Sequence, residues 1–167
     1  QRALAMCVLA ATTAACATLG TLGAIVQPPR FEEAPDHRAE IWVQPAAGGR
    51  GYGGLSVRLW TTVTNPNPFG FTLSTLSGTL FLEGSRAATA EFPLGLPLSA
   101  GASETVPIDV SIGFSDMVNL GDVVQRAVAG RPIQYRFDGT VAVHAGRLGT
   151  PVFGPMTFLK GTVGRSQ

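Results

Sequence analysis

The chain has 167 residues, 45% hydrophobic and only 14% charged, which suits one packed domain with an appendage and excludes wholesale disorder. Its net charge of +1 gives no field for drawing in nucleic acid, and its eleven arginines and single lysine, Lys160, are scattered along the sequence. Twenty-one glycines and twelve prolines make it turn-rich, which favours an all-β fold.

Residues 3–26 carry no charge, with Arg2 before them and Gln27-Pro28-Pro29-Arg30 after. As a helix this run would be roughly 36 Å long, against about 30 Å for a bilayer core. Three readings compete. The run is a retained membrane span that holds the domain outside the cytoplasm. Alternatively, residues 1–15 are an export signal ending in Thr13-Ala14-Ala15-Cys16, which resembles a bacterial lipobox with Thr13 in the position usual for leucine and Cys16 as the lipidated residue. In the third reading a signal is cleaved near Ala17 and frees a soluble domain. The first two make membrane lipid a partner and place the domain on the periplasmic or extracellular side. Both cysteines, Cys7 and Cys16, lie in this run, so the rest of the chain has no disulfide and no cysteine-based metal site.

Residues 27–37 hold three prolines and three acids and are expected to form a semi-rigid extended spacer. A domain over 38–163 and a tail over 164–167 complete the expected organisation. Ala39 to Val43 is expected as a short strand. Ala46 to Gly54 is a glycine loop whose Gly49-x-Gly51-x-Gly53-Gly54 is a poor copy of a phosphate-binding fingerprint, because it opens into a strand and not a helix. Arg50 and Tyr52 on this loop make it a candidate contact surface. From Leu55 to Val63 the residues alternate with period two.

The strand runs into Asn65-Pro66-Asn67-Pro68, around which the chain is organised. Two prolines remove two backbone donors and fix two φ angles, so the segment is neither helix nor central strand. It is expected to be a strand corner, with Asn65 and Asn67 bonding the backbone that the ladder leaves over. Beyond it, Phe71 and Leu73 alternate in one phase and Leu76, Gly78, Leu80 and Leu82 in the other, which predicts a bulge near Ser74-Thr75.

Glu83-Gly84-Ser85 reads as a turn, Arg86 to Phe92 as a strand and Pro93 to Gly101 as a loop. Thr105 to Ile112 is the cleanest alternation, with Pro107 demanding an edge. A helix follows from Ser115, with Met117, Leu120, Val124 and Val128 as its apolar stripe and Gly130 as its stop. Pro132 to Val143 and Val152 to Val163 are the last strands. About seven strands and one short helix, without βα alternation, mean a sandwich.

Thr62-Val63-Thr64-Asn65-Pro66-Asn67-Pro68-Phe69, Leu80 to Gly84, the strand Val106 to Ile112, the helix and Gly130-Arg131-Pro132-Ile133-Gln134-Tyr135 together resemble the late embryogenesis abundant type 2 family, or water stress and hypersensitive response domain. The resemblance covers about residues 38–163. It implies a seven-stranded sandwich similar to fibronectin type III and immunoglobulin domains, a link to desiccation or cold stress, no cofactor and no catalysis. It gives Asn65, Pro66, Asn67 and Pro68 a structural role.

Nothing else in the sequence names a reaction or a small-molecule substrate. His37 and His144 have no neighbour at metal-ligand spacing, and no Gly-x-Ser-x-Gly occurs. His144 with Asp138 is the best of the poor catalytic sets. Trp42, Tyr52 and Trp60 read as rim or core packing or as exposed aromatics of a binding surface. The sequence thus points to a non-enzymatic, membrane-tethered domain that binds or protects macromolecules. The alternative is a structural subunit whose Ala/Thr-rich span packs against other membrane-protein subunits.

Overall fold

The computed structural model describes residues 25–49 and 52–165. Residues 1–24, which include Cys16 and most of the charge-free run, Arg50, Gly51 and the last two residues lie outside them. Eight strands are present among the described residues: β1 Arg30–Glu33, β2 Glu40–Pro45, β3 Tyr52–Thr64, β4 Phe71–Leu82, β5 Ser85–Leu98, β6 Ser103–Gly113, β7 Ile133–His144 and β8 Val152–Arg165. One short helical segment separates β6 from β7. It comprises α1 Phe114–Met117, a 3₁₀ turn Val118–Leu120, and α2 Gly121–Val128. Among the described residues no helix is long and apolar enough to cross a membrane.

The strands form a sandwich of two antiparallel sheets. In the first, β3 is central, with β6 along one edge and β1 and β2 end to end along the other. In the second the order is β5-β4-β7-β8. A short parallel pairing of Glu40-Ile41 with Gly164-Arg165 joins the sheets at one edge. The alternation of β3 decides which face goes in: Leu55, Val57, Leu59, Thr61 and Val63 have no exposed surface. Thr61 is the polar exception, and its hydroxyl donates to the Glu32 carbonyl oxygen at 3.0 Å. Ile108, Val110 and Ile112 of β6 continue this face, and Leu73, Leu76, Leu80, Val141 and Val143 of the other sheet belong to the same core. Phe137 is central to the second sheet, with ring centroids 6.3 Å from Phe92 and 5.9 Å from Phe158.

The predicted bulge falls at Ser74, where the register shifts against both β5 and β7. Three expectations need correction. The strand count is eight and not seven, because residues 30–33, within the segment expected as a spacer, pair with Thr61–Thr64 of β3. The loop expected over Pro93–Gly101 is strand as far as Leu98. Its prolines escape the ladder rule because, among the described residues, β5 pairs with β4 alone and is an edge strand.

The helix is the third correction. The 3₁₀ turn breaks its phase, so Leu120, Val123 and Ala127 are buried whereas Val128 is 50% exposed. It does end at Gly130 (φ 66°), where the Arg131 N–H bonds the Arg126 carbonyl and the Gly130 N–H bonds that of Ala127. That pair of bonds is the Schellman closure, which needs a left-handed residue.

Candidate functional site

Sequence singled out the corner, and the structure shows what it holds. Asn65 is fully buried and Asn67 is 2% exposed. The Asn65 amide nitrogen donates to the carbonyl oxygens of Phe69 at 2.8 Å and Ser99 at 3.0 Å, with Leu98 at 3.2 Å also in reach. Its side-chain oxygen accepts from the Asn67 N–H at 2.9 Å and the Asn67 Nδ2 at 3.0 Å. Its own N–H donates to the Ala102 carbonyl. One side chain thus joins the chain leaving β3, the start of β4, and the β5–β6 connection. Pro66 and Pro68 keep the segment extended without adding donors that would need partners.

Asn67 faces the other way along the chain. Its Oδ1 accepts from the Gln27 N–H at 2.7 Å, and its Nδ2 donates to the Gln27 carbonyl at 2.9 Å. An asparagine side chain and a peptide unit carry the same donor–acceptor pair, so Asn67 extends the β1–β3 ladder beyond Arg30. The N-terminal segment is fixed at this end of the sandwich, with Val26 and Ala34 buried beside it. Phe31 meets Phe158 edge-on at 4.6 Å. The Tyr135 hydroxyl donates to Glu33 Oε1 at 3.2 Å. Burial first, and then the charge and hydrogen bond of Glu33, push the Tyr135 phenol well above its ordinary range.

Of the contact loop, Tyr52 opens β3 opposite Pro45. His37 stacks on Trp60 with centroids 4.2 Å apart. Trp42 is 37% exposed and lies under the Arg58 guanidinium, which forms a two-pronged pair with Asp109 at 2.6 and 2.9 Å. That carboxylate, through its hydrogen bond and its charge, raises the Arg58 pKa. His144 lies by the Thr150 hydroxyl and Asp138 is bonded by Arg136 and Thr157, so the two do not form a catalytic pair. No group of three His, Cys, Asp or Glu that could hold a metal occurs among the described residues.

Sequence reasoning missed the Gln27–Asn67 pairing. The only signal for it is the polarity of Asn67 itself, which does not name a partner forty residues away.

The chain matches the late embryogenesis abundant protein family over residues 61–156, more than half its length, and belongs to that family. The matched range holds the whole corner but not its Gln27 partner. No curated protein matches the chain. Among solved structures, an Arabidopsis thaliana protein is similar at 19% identity with a TM-score of 0.59, over 82% of each chain. A second Arabidopsis protein, described as late embryogenesis abundant, is similar at 15% identity with a TM-score of 0.50, over 84% of this chain and 73% of its own. At these identities the likeness establishes the fold.

Proposed function

We propose that this protein is a non-enzymatic, membrane-tethered β-sandwich on the periplasmic or extracellular side that protects other macromolecules when water is scarce. Membership of the late embryogenesis abundant family over residues 61–156 carries this reading. The charge-free run 3–26 supports a tether, whether as a span or through Cys16. The pairing of Gln27 with Asn67 supports a tether held close to the domain, with little slack between them.

Two experiments test the proposal. Deleting the gene should lower survival on drying, with growth in water unchanged, and full survival of the deletion strain overturns the protective role. Membranes washed in alkaline carbonate should retain the protein, and its release by the wash overturns the tether. A complex with other membrane subunits, found by native mass spectrometry in mild detergent, would replace protection by an assembly role.

A further inference from the structure

The outward face of the β5-β4-β7-β8 sheet carries a feature that neither the corner nor the tether uses. Arg86, Phe81, Arg136 and Lys160 stand directly opposite one another on four successive strands. With adjacent strands about 4.8 Å apart, this puts three cations and one ring in a single cross-strand row. Lys160 is the chain's only lysine. Like charges placed directly opposite repel, so the Arg136–Lys160 pair costs stability unless an anion lies between them.

The setting of Arg136 is that of a held guanidinium. Its Nε donates to Asp138 Oδ2 at 2.7 Å, and the other oxygen of that carboxylate accepts from the Thr157 hydroxyl at 2.7 Å. Its guanidinium carbon lies 4.6 Å from the centroid of the Phe81 ring. One edge is thus fixed by a carboxylate and one face by a ring, while neither terminal nitrogen has a partner among the described residues. Lys160 likewise has no ion pair among them. Arg86, on the far side of Phe81, donates to the Thr89 hydroxyl at 2.7 Å.

Lys160 and the terminal nitrogens of Arg136, whose Nε edge is already paired with Asp138, open onto a groove of about 500 Å³. Phe81, Gly84, Gln134, Arg136, Lys160 and Thr162 line it, and no carboxylate does. One wall is rigid. Glu83 and Gly84 both have positive φ, at 49° and 79°, between the paired residues Leu82 and Ser85. That is the geometry of a two-residue hairpin turn. Glu83 is held in it by two bonds to Gln134, from its own N–H to the Gln134 carbonyl and from the Gln134 N–H to its Oε1, each 2.9 Å. Two acids adjoin the groove without lining it: Asp138 is held by Arg136 and Thr157, and one oxygen of Glu83 is engaged by the Gln134 N–H.

The geometry points to a binding site for a phosphate monoester. A monoester carries nearly two negative charges at neutral pH, which suits the row better than a carboxylate with one, because the row's three cations, Arg86, Arg136 and Lys160, less the bound Asp138 carboxylate leave a net charge of about +2. A planar guanidinium with free terminal nitrogens offers the fork that phosphate oxygens accept, and the ammonium supplies the second charge. Thr162 and Gln134 are placed to hydrogen-bond the organic part. The phosphate could come from a soluble metabolite or from a lipid headgroup.

The test uses the full chain in neutral phosphatidylcholine nanodiscs. Binding of glycerol 3-phosphate, inorganic phosphate and acetate is measured by calorimetry, and binding to phosphatidylcholine vesicles with and without phosphatidic acid by flotation. Phosphate and glycerol 3-phosphate should bind and acetate should bind much more weakly. Lys160→Gln, and Arg136→Lys, which keeps the charge but loses the fork, should each weaken phosphate binding by roughly tenfold. Arg58→Gln, on the opposite sheet, should leave binding unchanged. Both substituted positions are exposed, and unfolding curves check that the variants remain folded. Binding only to phosphatidic acid vesicles, lost in the same two variants, supports the site and assigns its source to a headgroup. No binding at tens of millimolar phosphate, or binding that neither substitution weakens, overturns it.

Discussion

Asn65 ties the β3–β4 corner to the β5–β6 connection, and its chemistry leaves little room for substitution. Its amide nitrogen faces three carbonyl oxygens in a fully buried setting. Asn65→Asp keeps the shape but turns an oxygen toward those acceptors. It should lower stability by about 3 kcal/mol or more at neutral pH, read from the urea midpoint. Because protonation restores one donor, the variant should recover part of that loss on mild acidification, whereas Asn65→Ala should not. Tyr135 gives a second prediction. Its folded pKa is raised by burial and by Glu33, so above the ordinary value of 10.0 the unfolded chain releases a proton that the folded one keeps. Stability is therefore full below that pH and falls as pH rises through it. Tyr135→Phe should cost about 1 kcal/mol at neutral pH and flatten most of this alkaline loss in denaturant titrations. The role of Asn65 could be suspected without the structure, since its place before Pro66 at the end of a strand calls for side-chain bonding to the backbone that the ladder leaves over. For Tyr135 the partner Glu33 lies about a hundred residues away, and nothing local announces it.

At the scale of elements, legibility followed the length of the alternating pattern. β3, β6 and β7 each show period two over eight or more residues, and each buries the face so marked. β1 has four residues with prolines before and after, too few for a pattern, and its strand character comes from its partner β3. Phe31→Ala, which removes the contact with Phe158, should therefore destabilise the whole domain by about 2 kcal/mol in a single unfolding transition. A spacer would show no such effect. Pro93 and Pro97 hid the second half of β5 because a proline forbids a central strand but permits an open edge. The helix was legible in its ends and not in its middle, since no sequence signal marks the 3₁₀ turn at Val118–Leu120. Gly78 is a further case. It reads as one more member of an alternating face, yet a Cβ there would lie 2.5 Å from the Phe137 ring and 2.8 Å from the Asp138 carbonyl. Gly78→Ala should cost about 3 kcal/mol by calorimetric melting, because the central ring of the core has nowhere to move.

For the whole molecule, the N-terminal attachment sets an orientation, provided the run 3–26 is a membrane tether. β3 rises from Tyr52 to Thr64 over 13 residues, or ~40 Å, and so separates two ends of the sandwich. Gln27 is bound at the Thr64 end, with the corner, the β5–β6 turn and Gly149. The helix, the Glu83-Gly84 hairpin and the phosphate groove lie toward the other end. A loose spacer over 27–37 would let either end approach the bilayer, whereas a paired β1 allows only the corner end to do so. In nanodiscs containing nitroxide lipids, the amides of Phe69, Ser99 and Gly101 should therefore relax strongly, and those of Gly84 and Gly130 should not. Asn67→Ala frees Gln27 and should level the difference. Equal relaxation at both ends in the unsubstituted chain would mean that β1 opens and acts as the spacer first expected. The groove would then have access to the same membrane, and phosphatidic acid binding in the same plane becomes geometrically open. With β1 closed, the groove faces away from its own bilayer, so its phosphate must come from solution or from a second surface.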